Sequence, residues 1–410
     1  MIQSVRRELT KDPVFGGWLM ILVTMLLIGV FTALNVLISG LQITNLSDQV
    51  PWGLWITIDL SAIALGAGAF SLSALVYLLR IEALRPIARL AVFTGLIGYT
   101  AAMVALLMDI GRPERFWHPT IYWNIHSVLW EITICVMLYA TVLITEFAPV
   151  VLESDFMKRI FPAGPRIGHV IHRFAPVAAV LGLGLSLLHQ SSLGATYGVL
   201  VARPIWFKPS LPVMFILSAV GAGATVVLGV TVLYENLIRQ RKIGKDTRNL
   251  LAMFGGLMTA GYLYLNLWDY LATNYYSHLP ARVESIALLN RVAPYGTSFW
   301  LVEVLVGALI PIIILLTPAL RRRDGLIMTA AVLAIIGIVV NRWNVTLSGL
   351  IVPMDWSPGI ADVFPVNAYR PSWVEWGVAS LVIGYVLMAF TLGLRYLPFF
   401  PDDDDTDEQH

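Results

Sequence analysis

The chain has 410 residues and a formal net charge of +1; the AVILMFWYC group makes up 58% of it, and Asp, Glu, Lys and Arg together only 13%. A soluble domain carries about 25% charged residues, so with a mean hydropathy of +0.76 water is not the main solvent of this protein. The single Cys135 excludes a disulfide and a CxxC pair for zinc or an iron–sulfur cluster.

Apolar stretches long enough to cross a hydrocarbon core of about 30 Å recur along the whole length. In chain order the expected membrane helices cover 17–39, 53–79, 87–110, 125–150, 168–189, 211–238, 248–272, 298–318, 325–342 and 373–395. The first, from Trp18 to Ile38, is longer than a signal-peptide core and is read as a retained helix. Charge clusters and segments rich in Pro, Trp and Asn separate the spans. The expected fold is an all-α polytopic membrane protein of ten helices. It divides into an arm with helix 1 (1–50), a first four-helix bundle (51–192, helices 2–5), a second (193–350, helices 6–9), a loop with helix 10 (351–398) and an acidic tail (399–410).

Lys and Arg fall unevenly between the two sets of loops. Eighteen lie on one side, at Arg6, Arg7 and Lys11, at Arg80, Arg85 and Arg89, at Lys158, Arg159 and Arg166, at Arg239, Arg241, Lys242, Lys245 and Arg248, at Arg321 to Arg323, and at Arg395. The other side holds seven: Arg112, Arg115, Arg203, Lys208, Arg282, Arg291 and Arg370, while Arg173 and Arg342 fall inside helix ends. The positive-inside rule then puts both termini in the cytoplasm of a bacterial inner membrane. The outward loops carry Trp52, Trp117, Trp123, Trp206, Asp355-Trp356 and Trp373. Singly these read as an aromatic belt at the lipid headgroups; together the long segments 190–210, 273–297 and 343–372 suit a periplasmic partner. The six acids between Asp402 and Glu408 read as a solvated end.

Ionisable groups inside the spans are the functional candidates, because each costs several kcal/mol at membrane depth unless it is paired or watered. Helix 2 carries Asp59 about two turns in, helix 3 ends at Asp109 followed by Arg112, helix 4 opens with Asn124, His126, Ser127 and Glu131, and helix 5 finishes at His189 and Gln190. The expected topology brings all four sets within roughly 10 Å of one membrane surface. Asn124, Ser127 and Glu131 should share a helix face. Asp109 and Arg112 read equally well as an ion pair closing helix 3. Toward the opposite side, Tyr77, Glu146 and Glu235 read either as an inner proton path or as interface residues.

Helices 7 and 8 echo helices 3 and 4 weakly, with Asp269 for Asp109 and Ser298 and Glu303 for Ser127 and Glu131. The second half has no counterpart of His126 or His189, so the chemistry is expected in the first. The runs Leu65 to Ala69 and Gly221 to Ala224 read as helix-packing faces, and no nucleotide-binding motif is present. Acids and imidazoles beside lipid suit the binding and protonation of a small amphipathic molecule such as a quinone.

The stretches PWGLWI with Asp59, MDIGR from Met108, NIHSVLWE from Asn124, HQSSLG from His189, NRWN from Asn341 and PSWVE from Pro371 resemble the NrfD/PsrC family, and most of all its ten-helix branch of the HybB, DsrP and QrcD type. The resemblance implies a quinone-interacting subunit of a multi-subunit respiratory oxidoreductase, holding no haem or iron–sulfur cluster of its own. It further implies a periplasmic four-cluster iron–sulfur subunit as electron partner, with a molybdopterin-type or hydrogenase catalytic subunit beyond it, and in some complexes a multihaem cytochrome c. No nucleic acid is expected among the partners. On this reading menaquinone lies among helices 2 to 5, near Trp55, Asn124, Ser127 and Gln190. His126 and His189 hydrogen-bond its carbonyls, Asp59, Asp109 and Glu131 relay protons, and Arg112 orients an acid or balances negative charge. Two rivals stay open: a b-type haem anchor using His126 and His189, with His169 and His172 at the other end, and a secondary transporter.

Overall fold

A computed structural model of the chain describes residues 13–201, 203, 205–238, 243–276, 294–351 and 369–399. Arg6, Arg7, Lys11, Arg239, Arg241, Lys242, Arg282, Arg291, the Asp355-Trp356 pair and the acidic tail lie outside the described residues, as do parts of the segments 190–210, 273–297 and 343–372.

Among the described residues there is no strand, and ten helices are long and apolar enough to cross a membrane. They are α1 (Pro13–Ser39), α2 (Leu54–Leu79), α3 (Ala88–Asp109), α4 (Val128–Leu152), α5 (Ala175–Gly198), α6 (Leu211–Ile238), α7 (Lys245–Leu271), α8 (Tyr295–Leu316), α9 (Asp324–Ile351) and α10 (Trp373–Tyr396). Helices α2 to α5 pack in a closed ring, α6 to α9 in a second, and α1 pairs with α10 against α2 and α3. Large apolar side chains face outward along α1, among them Met20, Leu27 and Phe31, as a lipid-facing surface requires.

Small residues set how closely the helices approach. A Cβ on Gly68 would collide with the carbonyl oxygen of Ala219 on α6, and Gly223 meets the backbone at Gly68 and Ala69. The two small-residue runs are therefore opposite faces of one contact, and that contact joins the two bundles. On the neighbouring side of α2, Gly66 lies 2.9 Å, measured from an ideal Cβ, from the carbonyl oxygen of Gly95 on α3.

Most helix boundaries fall within a few residues of expectation. Two differ in ways that move functional groups. Helix α5 begins at Ala175 and runs on to Gly198, so His189 and Gln190 sit within it and not at its end. The polar run that looks like an exit from lipid stays helical because it is covered by protein. Gly194 packs on Pro212 and Gly198 on the carbonyl of Lys208 at the start of α6. Helix α9 likewise continues to Ile351, placing Asn341, Arg342 and Asn344 inside the bundle.

A third correction concerns the start of α4. Ser127 has extended backbone angles and its hydroxyl accepts the N–H of Trp130, so it is the N-cap and the helix opens at Val128. Asn124 and His126 precede the helix, and the shared helical face expected for Asn124 and Ser127 does not exist. At the start of α10, Ser372 and Glu375 form a reciprocal capping box. Glu375 is buried, and beyond its cap it accepts the N–H of Asn45 (3.0 Å) and the hydroxyl of Tyr369, which itself accepts the N–H of Leu54 (3.0 Å). One carboxylate thus ties α10 to α2 and to the α1–α2 connection.

Candidate functional site

In the first bundle the expected residues separate into a buried set and an exposed set. Asp59 on α2 is 5% exposed, and its Oδ1 has no hydrogen-bond partner in the protein. It lies within electrostatic reach of Asp109 and Tyr99. Asp109, the last residue of α3, also has an unpartnered, buried Oδ1, and among the described residues no ion pair joins it to Arg112. His189 on α5 is fully buried; its Nδ1 shares a 2.9 Å hydrogen bond with the Tyr99 hydroxyl on α3, while its Nε2 has no protein partner. Beside it, both amide atoms of the buried Gln190 are unpartnered. Glu131 on α4 accepts the Ser192 hydroxyl of α5 at 2.7 Å. Trp55 is buried and donates its indole N–H to the carbonyl of Glu375 at 3.0 Å.

Arg112, Asn124 and His126 form the exposed set. Gly111, at φ +71, turns the chain away from α3, and the segment to Ile125 runs over the surface with Trp117, Tyr122 and Trp123 outward. Asn124 accepts the backbone N–H of His126 at 3.3 Å, a local turn contact. His126 is therefore on the rim, and the buried imidazole belongs to His189 alone. Tyr99, its partner, is absent from the residues that the sequence singles out. A tyrosine in the middle of an apolar span is the available signal, since at that depth its hydroxyl needs a partner.

Most buried polar atoms in proteins find a hydrogen bond. The first bundle gathers Asp59, Asp109, His189 and Gln190 from three helices with at least one buried polar atom each left unmet. Such a set fits a ligand that both accepts and donates hydrogen bonds.

The groups considered for an inner path divide similarly. Both carboxylate oxygens of Glu146 on α4 are buried and unpartnered, and Glu146 acts electrostatically on Tyr77 of α2. Glu235 is instead engaged: it pairs with Arg248 and accepts the N–H of Ile243, while Arg248 also binds Asp324 at 2.8 Å. It joins α6, α7 and α9.

The second bundle is more polar than its sequence suggests. Glu303 on α8, where the backbone has π-helical hydrogen bonding, accepts the Tyr262 hydroxyl (2.7 Å) and the Asn341 amide (2.9 Å) on one oxygen and the Asn344 amide (2.7 Å) on the other. Arg342 donates to Asn341 at 2.7 Å and to Ser218 at 3.0 Å, and its guanidinium lies 3.7 Å over the ring of Phe215. Asp269 departs from its counterpart Asp109, forming a 2.7 Å ion pair with Lys208. Trp206, expected in an aromatic belt, is 4% exposed; it stacks on Trp52 and donates to the carbonyl of Val345 at 2.6 Å. Trp123 and Trp373 face outward.

No group of three or more His, Cys, Asp or Glu side chains able to hold a metal ion occurs among the described residues. Two four-helix rings with buried, unmet polar side chains at membrane depth define a polytopic membrane subunit that handles a small ligand. The chain matches the family described as Polysulphide reductase, NrfD, over residues 42–354, and it belongs to that family. Among its relatives, the integral membrane subunit of menaquinone reductase from Nitratidesulfovibrio vulgaris is 35% identical over 95% of this chain and 90% of its own length. A putative dimethyl sulfoxide reductase membrane protein of Halobacterium salinarum is 28% identical over 93% of this chain and 91% of the relative. A probable Ni/Fe-hydrogenase 2 b-type cytochrome subunit of Escherichia coli is 27% identical over 97% of this chain and 95% of the relative.

Proposed function

We propose that this chain is the quinone-interacting membrane subunit of a respiratory oxidoreductase complex. It exchanges electrons between a periplasmic iron–sulfur partner and menaquinone, and it is not catalytic alone. One observation carries the reading: the unmet buried atoms of Asp59, Asp109, His189 and Gln190 converge from α2, α3 and α5. The name of the menaquinone reductase relative supports the choice of quinone.

Menaquinone, when bound, takes electrons into its ring system and protons at its carbonyl oxygens. His189 Nε2 and the Gln190 amide hold those oxygens. The Tyr99 hydroxyl fixes the imidazole tautomer through Nδ1, which leaves Nε2–H free to donate. Asp59 and Asp109, neither of them tied up by a cation, hold and release protons beside the ligand. Glu131 is steadied by Ser192 at the edge of the same space. Arg112, Asn124 and His126, exposed on the loop after α3, face the partner subunit. Glu146 with Tyr77 is the group for proton uptake from the cytoplasmic side, with both termini on that side; Glu235 is excluded from this role by its pairing with Arg248.

The test replaces Asp59 with Asn and His189 with Ala in the whole complex and follows quinone-linked turnover. Loss of turnover in fully assembled variants is expected; normal turnover refutes the site. A reduced-minus-oxidised spectrum of the isolated chain tests the haem reading that the Escherichia coli relative's name raises. Haem absorption there would replace the quinone assignment of His189.

A further inference from the structure

Arg342 is 1% exposed and sits in the middle of a membrane-spanning bundle, yet no carboxylate touches it among the described residues. A buried cation without a direct counter-charge is costly. Here the charge is relayed: Arg342 donates to the Asn341 carbonyl oxygen, and the same amide donates to Glu303. The Glu303 carboxylate accepts three hydrogen bonds and needs no more protein donors. The guanidinium is not fully served, because its Nε–H has no partner. Asn266, one turn beyond Tyr262, lies beside that phenol, and its Nδ2 is likewise unmet.

Two cavities flank this network. One, of about 40 Å³, is lined by Arg342, Asn266, Glu303 and Phe215; the other, of about 30 Å³, is lined by Ser218, Thr259, Tyr262 and Glu303. A single water needs roughly 10–15 Å³ and two to four polar partners, whereas an apolar cavity that admits a benzene ring is about 150 Å³. Volume and lining thus agree on water and exclude a ring. The charges lining the larger cavity, Arg342 and Lys208 against Glu303, leave no strong preference for an anion, since Lys208 is already neutralised by Asp269.

We propose that the second bundle holds a buried water site, in which water accepts from Arg342 Nε–H and Asn266 Nδ2–H and lies on both sides of Glu303. It is a separate polar centre from the first bundle. Its contribution is to complete the hydration of a fixed charge pair within lipid, with Asn341 as the bridge between the two charges.

Hydroxyl-radical footprinting of the intact complex in lipid nanodiscs tests this, because radicals made from trapped water label the side chains beside it. Phe215 and Phe70 are equally hidden from bulk solvent, at 1% and 0% exposure, but only Phe215 lines a cavity of this site. Labelling of Phe215 several-fold faster than Phe70 is expected. Equal rates overturn the proposal, as would the rate expected of a site filled by an organic molecule, in which Phe215 is protected. Asn266→Leu, which fills the larger cavity with an apolar group, should bring Phe215 down to the rate of Phe70; an unchanged rate would show that the label comes from elsewhere.

Discussion

Replacing Tyr99 by Phe removes one oxygen and nothing else from the buried first bundle. His189 then keeps neither of its protein hydrogen-bond options, because Nδ1 loses the 2.9 Å contact and Nε2 already has none. Leaving a buried polar group unmet costs about 1–3 kcal/mol. If the hydroxyl sets the tautomer that presents Nε2–H to the quinone, about 1–2 kcal/mol of that is lost from ligand binding, a factor of about 5–30. The assay is steady-state turnover of the purified complex against a soluble menaquinone analogue, with KM and kcat resolved separately. We expect KM to rise by that factor, and the Tyr99→Phe change to have no further effect in a His189→Ala background. An unchanged KM in a Tyr99→Phe complex whose melting temperature is also unchanged would refute the role of Tyr99 as a positioning residue. A drop in melting temperature alone would mean the hydroxyl serves packing and not binding.

Gly68→Leu should prevent stable folding, since its side chain meets the Ala219 carbonyl at the contact between the bundles, whereas Gly184→Ala, where nothing lies within 4 Å, should be silent; size-exclusion profiles in detergent distinguish the two. Ser192→Ala removes a hydrogen bond to the Glu131 carboxylate and should cost about 1.5–3 kcal/mol, read as a lowered thermal midpoint. Arg248→Ala releases both Glu235 and Asp324 and should lower stability while leaving kcat unchanged; a fall in turnover without a fall in stability would return Glu235 to the proton path. Glu375→Gln weakens the contacts to Asn45 and Tyr369 that hold α10 on α2, and faster proteolysis of the α1–α2 connection should follow.

Much of the site is legible in the sequence because a membrane punishes ionisable side chains. Asp59, Asp109, Glu131 and His189 stand out against apolar neighbours, and the structure finds all four on the helices of one bundle. His126 stands out for the same reason and proves different. Its position relative to the helix depends on where α4 starts, and that is decided by the Ser127 cap. Tyr99 escapes notice because tyrosine is common near membrane surfaces, and nothing in its neighbours reveals that it meets an imidazole ninety residues away. The polarity of the second bundle is hidden for a related reason: Asn341, Arg342 and Asn344 look like the end of a span when read along the chain.

The sequence by itself determined the number of membrane helices and where most of them lie, because lipid requires each spanning segment to satisfy its own backbone and to be apolar over a fixed length. It also determined the family, through short polar motifs that no hydropathy constraint would produce. Only the tertiary structure decided which polar groups are met by protein and which are not. That depends on contacts between helices far apart in the chain, such as Tyr99 with His189, Ser192 with Glu131 and Tyr262 with Glu303. Hydropathy is a sum over local residues, whereas the satisfaction of a buried hydrogen bond is a property of two distant ones.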